Sequence, residues 1–279
     1  MTGRLFYYVF VIAFVAGSLI GGSASAGSLQ VFEGKSGTIE IAGGTAHIPV
    51  MKEAAKRIMT YNPDIRITVA GGGSGVGIQK VGEGLVDIGD AGRPLSDGEQ
   101  EKYGLISFPF AVDGVATVVS ADNPVSAISS KQVREIFSGE ITNWKEVGGE
   151  NAAIHVYTRD EASGTRAVYW KKLLNKGRIV ASANVVSSNG AMKSAIARDQ
   201  KGIGYVSIGH LDDTVKAPEL DGVRVTQETA KSGEYPVVRR LYMNTKGQPE
   251  GIVKDFIDYI LSSNCDEIII SSGYIPAAD

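Results

Sequence analysis

The chain has 279 residues, 43% of them apolar and 21% charged, a composition that fits a soluble globular protein and excludes a disordered chain. Its 28 basic and 31 acidic residues leave a net charge of −3, and no basic stretch carries interleaved aromatics, so a nucleic-acid partner is not expected. A single cysteine, Cys265, excludes an intramolecular disulfide, and His47, His155 and His210 are not spaced with cysteines or carboxylates as a metal site.

Residues 1–26 read as a secretory signal peptide. Arg4 supplies the positive start, Leu5 to Ile20 is an apolar run, and Ala24-Ser25-Ala26 is a small-residue cleavage site. The apolar run is shorter than the roughly 20 residues that a membrane span needs. No cysteine lies near the cleavage site, so a lipid anchor is not indicated. The expectation is an exported, periplasmic protein. Losing Arg4 leaves 27 basic against 31 acidic residues. An acidic protein that binds an anion must do so by local geometry rather than by its overall field.

The mature chain opens on a strand-turn-helix unit. Thr38 to Ala42 alternates as a strand, Gly43-Gly44-Thr45-Ala46 turns, and His47 to Met59 has apolar residues near helical spacing. Pro49 falls in the first helical turn, where it is tolerated. The unit then repeats. Ile65 to Val69 is a strand, Gly71 to Gly77 a turn built around Ser74 and Gly75, and Ile78 to Glu83 a short helix. The turn has neither the G-x-G-x-x-G frame nor the Gly-Lys-Ser/Thr ending of a nucleotide loop. Val86 to Gly89 is a third strand, leading into Asp90-Ala91-Gly92-Arg93-Pro94-Leu95. Ser96 and Glu99 then have capping-box spacing for a helix. Arg93, at a strand's C-terminal end, stands where α/β sheets bind ligands.

Leu105 to Val119 reads as two strand segments with a bend at Pro109, Asp113 and Gly114, crossing from one lobe to another. Ser129 to Phe137 is a helix with Gln132 at capping-box spacing, and residues 136–149 form a loop around a buried Trp144. Ile154 to Tyr157 is a strand, and Thr165 to Leu174 a helix. Between them lies Arg159-Asp160-Glu161-Ala162-Ser163-Gly164-Thr165-Arg166. A helix N-terminus leaves backbone N–H groups unpaired and attracts anions. Glycine admits close approach, hydroxyls add donors, and a guanidinium matches an oxyanion. On its own this stretch reads equally as a Ser-capped helix or as half of an oxyanion cradle. Further on, Asn184 to Val186 is a strand, Asn189-Gly190 opens a helix through Arg198, and Gly202 to Val206 is a strand. Val223 to Thr226 is a further strand candidate, and Tyr235 to Tyr242 a second crossing segment. Gly251 to Leu261 is an amphipathic helix, and Glu267 to Tyr274 a closing helix despite its β-prone Ile run.

Three Gly/Ser/Thr turns, at 43–46, 71–75 and 163–166, thus share one chemistry. The sequence also resembles the phosphate-binding proteins of bacterial ABC phosphate importers. The likeness rests on Gly43-Gly44-Thr45, Gly72-Gly73-Ser74-Gly75, Asp87-Ile88-Gly89 with Arg93-Pro94-Leu95, Asp113-Gly114, Asn123-Pro124-Val125 and Gly202-Ile203-Gly204-Tyr205-Val206. Its most specific parts are Ile136-Phe137-Ser138-Gly139-Glu140-Ile141-Thr142-Asn143-Trp144 and Arg159-x-x-x-Ser163-Gly164-Thr165-Arg166. The resemblance implies an α/β, type II periplasmic-binding-protein fold with two lobes, a ligand cleft and two crossover segments. Lobe I would comprise 27–112 and 238–279, and lobe II 113–237. It implies a monomeric, non-enzymatic receptor that takes inorganic phosphate and delivers it to a membrane permease, with no cofactor.

By the same resemblance Thr45 and the Ala46 amide, Ser74 and the Gly75 amide, and Arg159, Ser163, Gly164 and Thr165 would bind phosphate. Arg93 is a second cation, and Asn189 a further candidate. Family members often carry an acidic residue, or a serine, where this chain has Gly92. A buried carboxylate there accepts the proton of hydrogen phosphate and repels sulfate, so Asp90 or Asp113 is expected to replace it. Three alternatives remain: a receptor for sulfate, molybdate or tungstate, an exported hydrolase using Ser74 or Ser163, and a signalling or adhesive module of the same fold that has lost transport.

Overall fold

The computed structural model describes residues 28–277, and the expected signal peptide lies outside them. In chain order come β1 (Gly37–Gly43), α1 (Ile48–Tyr61), β2 (Ile65–Ala70), α2 (Ser74–Gly82), β3 (Ile88–Ala91), α3 (Asp97–Tyr103) and β4 (Leu105–Ser120). There follow β5 (Ala127–Ile128), α4 (Ser130–Ser138), β6 (His155–Arg159), α5 (Gly164–Lys172), β7 (Asn184–Val186), α6 (Asn189–Arg198) and β8 (Gly202–Ser207). The chain continues through β9 (Val215–Lys216), β10 (Glu219–Leu220), α7 (Gln227–Ser232), β11 (Val238–Lys246), α8 (Gly251–Leu261), α9 (Asp266–Ser271) and β12 (Ile275–Pro276).

The main sheet runs β2-β1-β3-β11-β4-β8-β6-β7. β1 pairs in parallel with β2 and β3, and β6 in parallel with β7 and β8. Between these parallel groups β4 and β11 run antiparallel to their neighbours. β4 joins the groups. Its residues from Leu105 to Gly114 pair with β11, and Val115 to Val119 pair with β8.

The helices form where local chemistry and packing agree. α1 buries Val50, Met51, Ala54, Ala55 and Ile58 along one stripe and takes Pro49 in its first turn. α3 and α4 open on the expected capping boxes of Ser96 with Glu99 and Ser129 with Gln132. α4 closes on Gly139 in the left-handed region, φ 86°. The Ile268–Ile270 run is helical in spite of its β preference, because a helix buries Ile268 and Ile269 while leaving Ile270 outside.

Several expectations are corrected. α2 starts at Ser74, not Ile78, since Gly73 takes a positive φ of 93° that turns the chain directly into the helix. Val223 to Thr226 is not a strand: Val223 makes an isolated bridge with Leu220, and Thr226 caps α7 through Thr229 N. β4 does not break into two segments. The irregularity is absorbed in register, where Leu241 faces Ala111 and Tyr242 faces Pro109, leaving Phe110 as the extra residue of a β-bulge. Pro109 has no N–H to offer a neighbour, and a bulge tolerates it within a sheet.

Candidate functional site

The turn after β1, the start of α2, the loop after β3, the end of β6, the start of α5 and the middle of β11 meet around one small cavity. Its volume is only about 10 Å3, and it is lined by Gly44, Thr45, Ala46, His47, Gly73, Ser74, Gly92, Arg159, Ser163, Gly164, Thr165 and Arg239. Of the residues singled out in the sequence, Thr45, Ala46, Ser74, Gly92, Arg159, Ser163, Gly164 and Thr165 are therefore brought together.

The hydroxyls are poised to donate. Ser74 Oγ accepts the Gly92 N–H at 2.9 Å, and Ser163 Oγ accepts the Arg166 N–H at 3.1 Å as the α5 cap. Thr45 Oγ1 accepts from both the backbone N–H and the side-chain Nδ2 of Asn189, at 3.2 and 3.0 Å. Thr165 Oγ1 accepts from the same Nδ2 at 3.4 Å. With a lone pair of each oxygen engaged by a protein donor, its own hydrogen is left for an acceptor in the cavity. The N-termini of α1, α2 and α5 converge here, which adds a positive field.

Two guanidiniums complete the lining. Arg159 ends β6 and is buried; its Nη2 donates to the Ser187 carbonyl at 3.0 Å, but Nε and Nη1 have no partner. Burial lowers its pKa from the usual arginine range. Its backbone is steadied from behind, where Arg159 N donates to Tyr205 Oη at 3.1 Å and Tyr205 stacks on Tyr169 with ring centres 4.2 Å apart. Arg239, in β11, is the residue that sequence reasoning missed. Its Nε donates to Asp113 Oδ2 at 2.7 Å, its Nη1 to the Gly92 carbonyl at 3.3 Å, and its Nη2 is buried without a partner. A signal was present: Arg239, Leu241 and Met243 alternate on the buried face of the strand, which puts an arginine inside.

The remaining candidates stand elsewhere. Arg93 does not line the cavity, because its fork is engaged by both oxygens of Glu99 at 2.7 and 2.8 Å. That pairing holds the Glu99 carboxyl down to about 2. Gly75 does not line it either; its N–H donates to the Ala162 carbonyl at 2.9 Å, tying the α2 turn to the α5 turn. Asn189 stands behind Thr45 and Thr165 as their donor. Asp113 is fully buried behind Arg239 and accepts from Ser207 Oγ at 2.9 Å and Ile208 N at 3.3 Å. Burial raises its pKa, with Arg239 acting against that shift. Asp90 is buried with Oδ1 unpartnered, and desolvation pushes its pKa well up, but it does not line the cavity. No carboxylate is among the lining residues. Among the described residues, no group of three or more His, Cys, Asp or Glu is placed to hold a metal ion.

A profile of the PBP superfamily domain matches residues 32–264. The phosphate-binding protein PstS of Bacillus subtilis (strain 168) is 37% identical over 250 residues, covering 88% of this chain and 83% of that protein. PstS of Borreliella burgdorferi is 28% identical over 249 residues, covering 85% and 89%. Among solved structures, a Clostridium perfringens protein with bound phosphate superposes with a TM-score of 0.82 at 33% identity, over 87% of this chain and 100% of that one. An ABC-type phosphate transport receptor from Vibrio cholerae gives 0.69 at 31% identity, over 85% and 99%. The α/β architecture is that of the type II periplasmic binding proteins, and the chain belongs to the PBP superfamily and, within it, to the PstS-type phosphate-binding proteins.

Proposed function

We propose that this protein is the substrate-binding component of an ABC importer, and that it captures inorganic phosphate in the cavity between the α1, α2 and α5 N-termini. One observation carries the reading. Arg159 Nε and Nη1 and Arg239 Nη2 are buried donors without partners, facing a cavity that no carboxylate lines. Of the two guanidiniums only Arg239 is ion-paired, with Asp113; Arg159 feels the Asp160 carboxylate only at longer range. Buried unpaired charge is costly, and an anion accepting those N–H groups removes the cost. The cavity volume of about 10 Å3 lies far below the roughly 300 Å3 at which pockets for drug-sized ligands begin, which favours a small ion over a nucleotide or sugar phosphate.

The ligand exchanges its water for N–H and O–H donors. Sheet segments 27–112 with 238–279, and 113–237, act as lobes that close on it. Gly75 N to Ala162 O and Asn189 to Thr45 are the bonds that hold the closed form. Closure is the state a membrane permease reads, stabilised by the anion's higher affinity for it. The protein works as an exported, periplasmic monomer. Its role is binding: Ser74 and Ser163 accept backbone N–H bonds, which leaves their own hydrogens for the oxygens of the ligand.

Calorimetric titration of residues 27–279, stripped of bound anion, tests this. Tight, saturable phosphate binding is expected. Absence of binding by phosphate, sulfate and molybdate alike would overturn it.

A further inference from the structure

The anion cavity is closed on two of its sides by direct bonds. On the α2 side Gly75 N donates to Ala162 O at 2.9 Å. On the α6 side Asn189 N and Nδ2 donate to Thr45 Oγ1, and His210 Nε2 lies 3.1 Å from the Thr45 carbonyl. Past Gly92 the walls part. Among the described residues no hydrogen bond or ion pair joins residues 93–96 to residues 167–172; Arg93 turns to Glu99 instead. Between these two segments lies a groove of about 550 Å3, completed by β11.

The groove continues the cavity outward on three elements. Gly92 lines the cavity and Arg93 the groove; Gly164 and Thr165 line the cavity and Ala167 and Val168 the groove; Arg239 lines both. At about 30 Å3 per water the groove has room for an anion with its hydration shell. Its charge is of one sign. Lys171, Lys172 and Arg240 line it, all three are exposed, and none forms an ion pair among the described residues. No carboxylate is in the lining, and its apolar part comes from Leu95, Ala167, Val168 and Val238. Lys171 and Lys172 also close α5, where cations suit the helix dipole. Arg240 stands on a strand and has no such local reason.

We propose that this groove is the approach path of the anion: Lys171, Lys172 and Arg240 draw hydrated phosphate into it and set the rate at which the cavity is filled. The inference rests on the phosphate reading above. The chain as a whole carries a net charge of −3, so its distant field repels an anion, and capture at low concentration needs a local field of the opposite sign. A cleft with charges of one sign and low-dielectric walls focuses field lines and raises the local concentration of the counter-ion. Exposed, hydrated cations attract without holding. The anion gives up its water only past Arg239, where the cavity is too small to admit its shell. The groove therefore governs association, and the buried donors of the cavity govern dissociation.

Rapid mixing of the mature protein with radiolabelled phosphate, chased with unlabelled phosphate and trapped on filters, measures both rates. Three variants are compared with wild type: Lys171→Glu with Lys172→Glu, Arg240→Gln alone, and a charge-matched control, Lys145→Glu with Lys231→Glu, whose two lysines are exposed and line neither the groove nor the cavity. At about 0.01 M salt the α5 double variant is expected to associate about tenfold more slowly than wild type, with an unchanged dissociation rate. Arg240→Gln should show a smaller fall in the same direction, independent of any effect on α5. At about 1 M salt, where the screening length is about 3 Å, the proteins should converge. Association as fast as wild type at low salt, a fall matched by the control pair, or a change confined to dissociation overturns the approach path. Wild-type protein that binds no phosphate overturns the underlying functional reading instead.

Discussion

Arg239 Nε and Asp113 Oδ2 lie 2.7 Å apart with side chains 3% and 0% exposed, one bond behind the cavity wall. The pair lets the fold bury a second guanidinium beside Arg159 without doubling the uncompensated charge. Breaking a buried pair by removing one partner costs about 3–5 kcal/mol. Asp113→Asn is therefore expected to lower the unfolding free energy by that order in anion-free buffer. Added phosphate should recover more stability in the variant than in the wild type, because the anion then faces two uncompensated cations. Urea unfolding with and without phosphate measures both quantities; an equal gain in the two proteins would contradict this account.

Arg159 differs in sign. Among the described residues it forms no ion pair, Asp160 acting on it only at longer range, and two of its buried nitrogens have no partner. Arg159→Met should weaken phosphate binding by about 10²- to 10⁴-fold, the equivalent of two charge-assisted hydrogen bonds at roughly 1.5–3 kcal/mol each. The anion-free protein should unfold at an unchanged or higher urea concentration, since a buried charge has been replaced by an apolar side chain. A variant that loses both affinity and anion-free stability would show Arg159 to be mainly structural.

Gly164 sets how closely the α5 turn approaches the α2 turn. A Cβ at this position would stand 2.1 Å from Ser74 Oγ and 3.1 Å from Ser74 Cβ. Gly164→Ala should hold the two turns apart and displace the Ser74 hydroxyl from the cavity. The expected result is a loss of phosphate affinity of at least about tenfold, one hydrogen bond to a charged group, with a largely unchanged far-ultraviolet circular dichroism spectrum. Wild-type affinity in the alanine variant would mean that the turns do not need this approach to bind.

Asp90 makes stability depend on pH. Burial without a partner raises its pKa well above 3.8 in the folded chain. Between that ordinary value and the raised one, the folded state binds a proton that the unfolded state has released. Its contribution therefore falls as pH rises, by up to about 1.4 kcal/mol per pH unit across that window. Asp90→Asn removes this term. The variant should match wild type below about pH 4 and become progressively more stable than it towards neutrality. Parallel stability curves for the two proteins would mean that Asp90 is ionised and paired in solution.

Much of this protein was written locally. The alternation in Thr38–Ala42, the apolar stripe of α1 and the capping boxes at Ser96 and Ser129 depend on neighbours three or four residues apart, and those stretches fold as their spacing requires. So do the Gly/Ser/Thr turns, whose donors are fixed by helix starts a residue or two away. What local spacing could not decide is which donors remain free. Gly75 looked available, yet its N–H is spent on Ala162, 87 positions along the chain. Arg93 looked like the second cation, yet Glu99 from its own capping box engages it. The second guanidinium lining the cavity is that of Arg239, whose partner Asp113 is 126 positions distant. His47 opens α1, and only β11 brings the Tyr242 carbonyl to its Nε2, from 195 positions away. Sequence alone determined the elements and the kind of chemistry at their ends, because hydrogen-bonding turns and side-chain periodicity are short-range. Tertiary structure alone decided which polar groups are consumed and which are left for a ligand, because burial and pairing across the sheet are set by residues that meet only once the chain has folded.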